Sequence, residues 1–153
     1  RSDFTGEKKA WLDALITPEF ESIFEQVFGE KEAMIHGELL GPKIQSNLYD
    51  LSDFKFFVFD ICNKTDNVFW RQEVVDHYAK EFGFERAPVV INGTLNEIAE
   101  LVKTAPVSKV NPKIEMEGIV IRPVRELKNA KNERIIYKVK LADFLGRSAK
   151  RLV

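Results

Sequence analysis

Glu117-Gly118-Ile119-Val120-Ile121-Arg122-Pro123 opens one alternating apolar run, and Lys138-Val139-Lys140 closes the next. A two-residue period puts Ile135, Tyr137, Val139 and Leu141 on one face of that second run. Arg134, Ile136, Lys138 and Lys140 fall on the other. Two ammonium groups about 7 Å apart along a strand suit a polyphosphate, which relieves their mutual repulsion. Lysines that merely defend a strand edge would look the same. Glu117 stands where a carboxylate can reach a metal-bound water or a ribose, and Gly118 would let a ligand approach the backbone. The plainer reading is a hairpin that starts on a charged residue.

Two further groups carry chemistry. Glu38, in His36-Gly37-Glu38-Leu39-Leu40-Gly41-Pro42, is a carboxylate among glycines at a strand end. His36 shares its strand face, but two ligands fall short of the three or four that zinc sites use, so His36 reads as a polar packing residue. His77 reads as surface or packing. In Phe56-Phe57-Val58-Phe59-Asp60-Ile61 an aromatic beside an acid can stack a base through Phe59, although most such phenylalanines are core. Strict alternation turns Asp60 away from Phe59, leaving it to act through the backbone or a neighbouring arginine.

Several elements must position these groups. Thr17-Pro18-Glu19 reads as N-cap, first-turn proline and an acid at the positive helix end. Phe20, Ile23, Phe24, Val27 and Phe28 follow at helical spacing, and Gly29 stops the helix. Trp11, Leu12, Leu15 and Ile16 form a preceding helical segment. Strands are expected over 33–40, ended by Gly41-Pro42, and over 55–63, joined through the turn 64–67 to Val68-Phe69-Trp70. Val74, Val75, Tyr78, Ala79 and Phe82 predict a helix ending at Gly83. Val89-Val90-Ile91 reads as a short strand. Thr94-Leu95-Asn96-Glu97 is a capping box for a helix carrying Leu95, Ile98, Leu101 and Val102, ended by Pro106. The last strands are expected over 117–124 and 134–141, joined by a charged loop. Hairpin-like neighbours without regular β-α-β units predict an α+β fold with mostly antiparallel sheets flanked by helices.

The chain has 153 residues, 44% of them hydrophobic and 31% charged, which suits one domain. No apolar run approaches the roughly 20 residues of a membrane span, so no membrane partner is expected. Cys62 is the one cysteine; it excludes an intramolecular disulfide, points to a reducing cytoplasm, and reads as buried and inert. The net charge of −1 hides a segregation. From Arg125 onward nine Lys or Arg face three Asp or Glu, whereas the first 124 residues carry 14 basic and 21 acidic. One end is therefore suited to an anion.

In order, Gly37-Glu38-Leu39-Leu40-Gly41-Pro42-Lys43-Ile44-Gln45-Ser46-Asn47, Phe56-Phe57-Val58-Phe59-Asp60-Ile61, Glu117 to Pro123 and Lys138-Val139-Lys140 resemble motifs III, IIIa, IV and V of the covalent nucleotidyltransferases. The G-P-x-I-Q-x-N continuation is most similar to ATP-dependent RNA ligases of the RNA ligase 2 type. The resemblance implies the ligase adenylation fold. It also implies that Glu38 contacts the ribose, that Phe59 stacks on adenine, and that Asp60 matches a nucleotide-binding position. Glu117 would organise Mg or Mn through water, and Lys138 and Lys140 would bind the phosphates and act in adenylyl transfer. Implied partners are ATP and RNA ends or nicked RNA duplex, acted on by a monomer in RNA repair.

The family's nucleophile is a lysine in a K-x-[DH]-G-like motif ahead of these elements, and none precedes Gly37. Lys64-Thr65-Asp66-Asn67 lacks the glycine and reads as a turn. Arg1-Ser2 is compatible with the remnant of an arginine-bearing motif. The expectation is one adenylyltransferase-like domain over 1–153, incomplete at its N-terminus, without an accessory domain, and unable by itself to adenylylate. Alternatives are a DNA ligase or RNA-capping guanylyltransferase relative, or a degenerate domain that binds nucleotide or RNA without catalysis.

Overall fold

The computed structural model describes residues 5–44 and 47–152. The elements run α1 (Glu7–Leu15), α2 (Pro18–Phe28), β1 (Ala33–Leu40), β2 (Lys55–Asn63), β3 (Val68–Phe69), α3 (Gln72–Glu81), β4 (Glu85–Arg86), α4 (Leu95–Lys103), β5 (Gly118–Ile121), β6 (Tyr137–Lys140) and α5 (Leu141–Leu145). The fold is α+β with predominantly antiparallel pairing, as expected. No described helix is long and apolar enough to cross a membrane. The chain divides into two compact units. The first takes in the chain to Ala87 except Leu48–Asp50; the second takes in Leu48–Asp50 and the chain from Pro88.

In the first unit, β1 and β2 pair antiparallel, β3 adds to β2 as a hairpin, and β4 pairs with β2 in parallel. Helix α2 begins where the Thr17 hydroxyl accepts from the Phe20 N–H at 3.1 Å, with Pro18 in the first turn, and ends at Gly29 with φ 57°. A left-handed residue at that stop suits glycine, which has no Cβ to clash. The apolar stripe of α2 packs with Val58 and Ile61 of β2 and Val75, Ala79 and Phe82 around α3. Its aromatic rings interlock, with centroids 4.5 Å apart for Phe24 and Phe28 and 5.0 Å for Phe28 and Trp70. Such pairs each add about 0.5–1.5 kcal/mol beyond the area they bury.

The β1–β2 ladder contains a bulge. His36 pairs with Asp60 and Gly37 with Val58, so the register shifts there and β2 carries one extra residue, Phe59. The bulge explains why Val58 and Ile61, three residues apart, both face the core. Gly37 is required there, because a Cβ would lie 2.5 Å from the Phe56 ring and 2.7 Å from the Phe57 carbonyl oxygen.

In the second unit, α4 starts on the expected capping box: the Thr94 hydroxyl accepts from the Glu97 N–H, and Glu97 accepts from the Thr94 N–H at 2.7 Å. Ile98 and Val102 of α4 are buried, as are Ile114, Met116 and Leu141, while Leu95 is exposed in the first turn. β5 and β6 form an antiparallel hairpin pairing Gly118 with Lys140 and Val120 with Lys138.

Some expectations fail. Val89-Val90-Ile91 is not a strand. Pro88 brings no N–H for a ladder, and the Val89 carbonyl accepts from Lys109 Nζ at 2.6 Å. The strand that forms there is the unforeseen β4, earlier in the chain. The last two strands are shorter than expected. Pro123 follows β5 closely, and 134–136 holds only a single bridge, Lys128 to Arg134. Leu141 is not the end of a strand but the start of α5, whose first turn is capped by Asp143 accepting from the Lys140 N–H at 3.1 Å. Tyr137, assigned to the core face, is exposed, because a two-stranded sheet offers it no second layer at that end.

Candidate active site

In the first unit, Glu38 lies near the end of β1 and is exposed. Its register partner is Phe57. Gln45 and Ser46 of the motif that follows lie outside the described residues, as do Arg1 and Ser2. Within the loop, Asn47 has φ 51°, accepts from the Leu51 N–H at 3.1 Å and donates to the Leu51 carbonyl at 2.9 Å. These bonds close the turn that leads towards β2.

Phe59 is 37% exposed, between Val58 at 0% and Asp60 at 4%. Strict alternation is interrupted between Val58 and Ile61 by the register shift, while Phe59 stays exposed and Asp60 buried. Asp60 stands opposite His36, and the His36 ring lies 6.5 Å from the Phe59 ring at an interplanar angle of 30°. Gln72 Nε2 donates to Asp60 at 3.4 Å, and Arg86 Nη2 donates to the other end of Gln72 at 2.8 Å. Arg86 also donates to the Val58 carbonyl and pairs with Asp76 at 2.5 Å. Gln72 and Arg86 escaped the sequence reading because the contact depends on a parallel pairing 28 residues away in the chain.

His36 is a packing residue, as expected: its ring contacts Phe59 and Phe69, and its Nε2 lies 3.6 Å from the Cys62 sulfur. Cys62 is buried. His77 is exposed, with its ring against Tyr78.

In the second unit, Lys138 and Lys140 are exposed on one face of the hairpin, opposite Val120 and Gly118. Among the described residues neither ammonium has a carboxylate partner. Glu117 is exposed just before β5, and its carbonyl accepts from the Leu141 N–H at 2.8 Å. Gly118 has a different use from the one expected. A Cβ there would lie 2.3 Å from the Val139 carbonyl oxygen, so the close approach is made by β6 itself.

The sequence reading passed over Glu115, which is buried and clamped by both Arg147 Nη atoms, at 2.5 and 2.9 Å, with a further bond from the Lys150 N–H. The Arg147 hydrogen bond holds its carboxyl below the usual range, against the opposing effect of burial. Arg147 sits in the last loop, so no local spacing announces the pair. It fixes the segment before Glu117 to the chain's C-terminal stretch.

A family model described as RNA ligase matches residues 1–140. The chain belongs to the RNA ligase family. Similar solved structures are Naegleria gruberi RNA ligase with PPi, at 21% identity and TM-score 0.65, covering 95% of this chain, and a variant of that ligase with AMP and Mn, at 21% identity and TM-score 0.62, covering 94%. A further variant, with ATP and Mn, also gives 21% identity and TM-score 0.62 over 94% of the chain. These likenesses show the nucleotidyltransferase fold. The chain spans 42% of the length of each of those ligases. Among curated proteins none matches.

Proposed function

We propose that this chain is the nucleotide-binding part of an ATP-dependent RNA ligase that joins RNA 3′-hydroxyl and 5′-phosphate ends. The observation that carries the reading is the family match over residues 1–140, which contains all four motifs in order. Supporting it, solved structures of this fold include ligases with ATP or AMP and Mn.

Glu38 holds the ribose, the exposed ring of Phe59 stacks on adenine, and Asp60 supports that strand from within. Lys138 and Lys140 bind the phosphates and stabilise charge on the α-phosphoryl group as it moves. Their lack of carboxylate partners among the described residues leaves both charges available to an anion. Among the described residues no three His, Cys, Asp or Glu gather into a metal site. A hard divalent cation that keeps several waters and arrives on the nucleotide's phosphates needs only one or two carboxylates, and the exposed Glu117 fits that demand. Bound there, Mg or Mn would neutralise charge on the phosphate oxygens.

The reaction runs in three transfers. A lysine amine attacks the α-phosphorus of ATP and expels pyrophosphate, forming lysyl-AMP. The AMP then passes to an RNA 5′-phosphate. A 3′-hydroxyl finally attacks that phosphate, releasing AMP and sealing the strand. No Lys-x-(Asp/His)-Gly occurs in the 153 residues, so this stretch by itself should not become adenylylated when incubated with ATP and magnesium. Full-length protein tests the specificity. It should exchange pyrophosphate with ATP and not GTP, and seal nicked RNA in preference to nicked DNA. A preference for GTP would make it a capping-enzyme relative, a preference for nicked DNA a DNA ligase relative, and no exchange with either nucleotide a binding domain only.

A further inference from the structure

Nine basic residues lie from Arg125 onward, and three of them are held by acids: Arg134 by Glu126, Arg147 by Glu115 and Arg151 by Asp50. Lys138 and Lys140 are assigned to the nucleotide. Of the remaining four, Arg125, Lys128 and Lys131 lie together in the segment joining β5 to β6, all three exposed. Among the described residues none of these three side chains has a hydrogen bond or ion pair.

That segment is an ordered arm. Its two limbs meet through the bridge of Lys128 with Arg134, and the Ile135 N–H donates to the Leu127 carbonyl at 2.9 Å. Asn129 builds the tip. Its side-chain oxygen accepts from the Lys131 and Glu133 N–H groups at 2.9 and 3.0 Å, and its own N–H donates to the Glu133 carbonyl at 2.8 Å. The arm's two acids are turned onto the arm itself: Glu126 takes two bonds from Arg134, and Glu133 accepts from the Asn129 amide at 2.7 Å. An arm already ordered presents its three cations with little further loss of conformational entropy on binding.

We propose that this arm binds the phosphodiester backbone of the RNA whose ends are joined. The arm runs directly into the strand that carries Lys138 and Lys140, where the reacting phosphates would lie. At ~3.3 Å per residue, up to roughly 20 Å separates Lys138 from Lys131, enough to pass several phosphates of one strand. Lysine and arginine contacts of this kind neutralise phosphates and carry no sequence information, as an enzyme joining ends of any sequence requires. The proposal rests on the reading of the chain as part of an RNA ligase.

The test measures binding of full-length protein to a 5′-phosphorylated nicked RNA duplex lacking the 3′-hydroxyl at the nick, by fluorescence anisotropy across a salt series. The Arg125→Gln/Lys128→Gln/Lys131→Gln variant should bind more weakly, with a slope of log affinity against log salt shallower by about 2 to 3. Lys131→Gln alone should flatten it by about 1, which decides the matter if the triple variant does not fold. The gain of one AMP from ATP should be unchanged in both. A control triple variant, Lys80→Gln/Lys103→Gln/Lys113→Gln, removes the same net charge from exposed positions elsewhere and should keep the parent slope. The proposal is overturned if the folded arm variants keep the parent slope and affinity, if the control loses as much as the arm variant, or if the arm variant loses AMP gain. A parent protein that gains AMP yet binds no nicked RNA would overturn the RNA ligase reading, and the proposal with it.

Discussion

Lys138 and Lys140 are exposed cations held two residues apart by a strand, with no acid neutralising them among the described residues. That arrangement costs little in a solvated hairpin and becomes favourable when phosphate lies across it. Replacing Lys138 or Glu117 by alanine should therefore abolish adenylyl transfer in the full-length protein and leave its circular dichroism unchanged. Normal transfer by either folded variant would remove that residue from the mechanism. Residue types were readable here because charge and strand period are local properties. The register shift at Phe59 was not, because a bulge is decided by which residue of β1 lies opposite. Gly118 shows the same limit: its glycine signals a close approach, but only the register shows that the Val139 carbonyl makes it.

Among the elements, the segment before Glu117 depends on Glu115 and Arg147. A carboxylate held below its ordinary pKa of 4.5 contributes stability that is fully present above that value and lost as pH falls through the lowered one. Glu115→Gln should accordingly lower the melting temperature at pH 7, and its gap from the parent should close on acidification below about 4.5. A gap that stayed constant down to pH 3 would show that the ion pair is not its origin. The elements with local signatures were legible, as Thr17-Pro18 and Gly29 around α2 and Thr94 with Glu97 at α4 demonstrate. β4 and α5 were not. β4 is a two-residue parallel pairing fixed by β2, and α5 is one short turn whose Leu141 continues the alternating pattern of β6.

For the whole molecule, family membership rests on the match over residues 1–140, a span that contains the dispersed motifs, none of which is decisive alone. Glu38 and Phe59 belong to one compact unit and Glu117, Lys138 and Lys140 to the other; the central claim is the proposed adenylyl transfer by the full-length protein. It is tested most directly by the mass of the full-length protein after incubation with ATP and magnesium. The account predicts a gain of one AMP, reversed by pyrophosphate and absent from the Lys138→Ala variant. A full-length protein that keeps its unmodified mass under those conditions would contradict it.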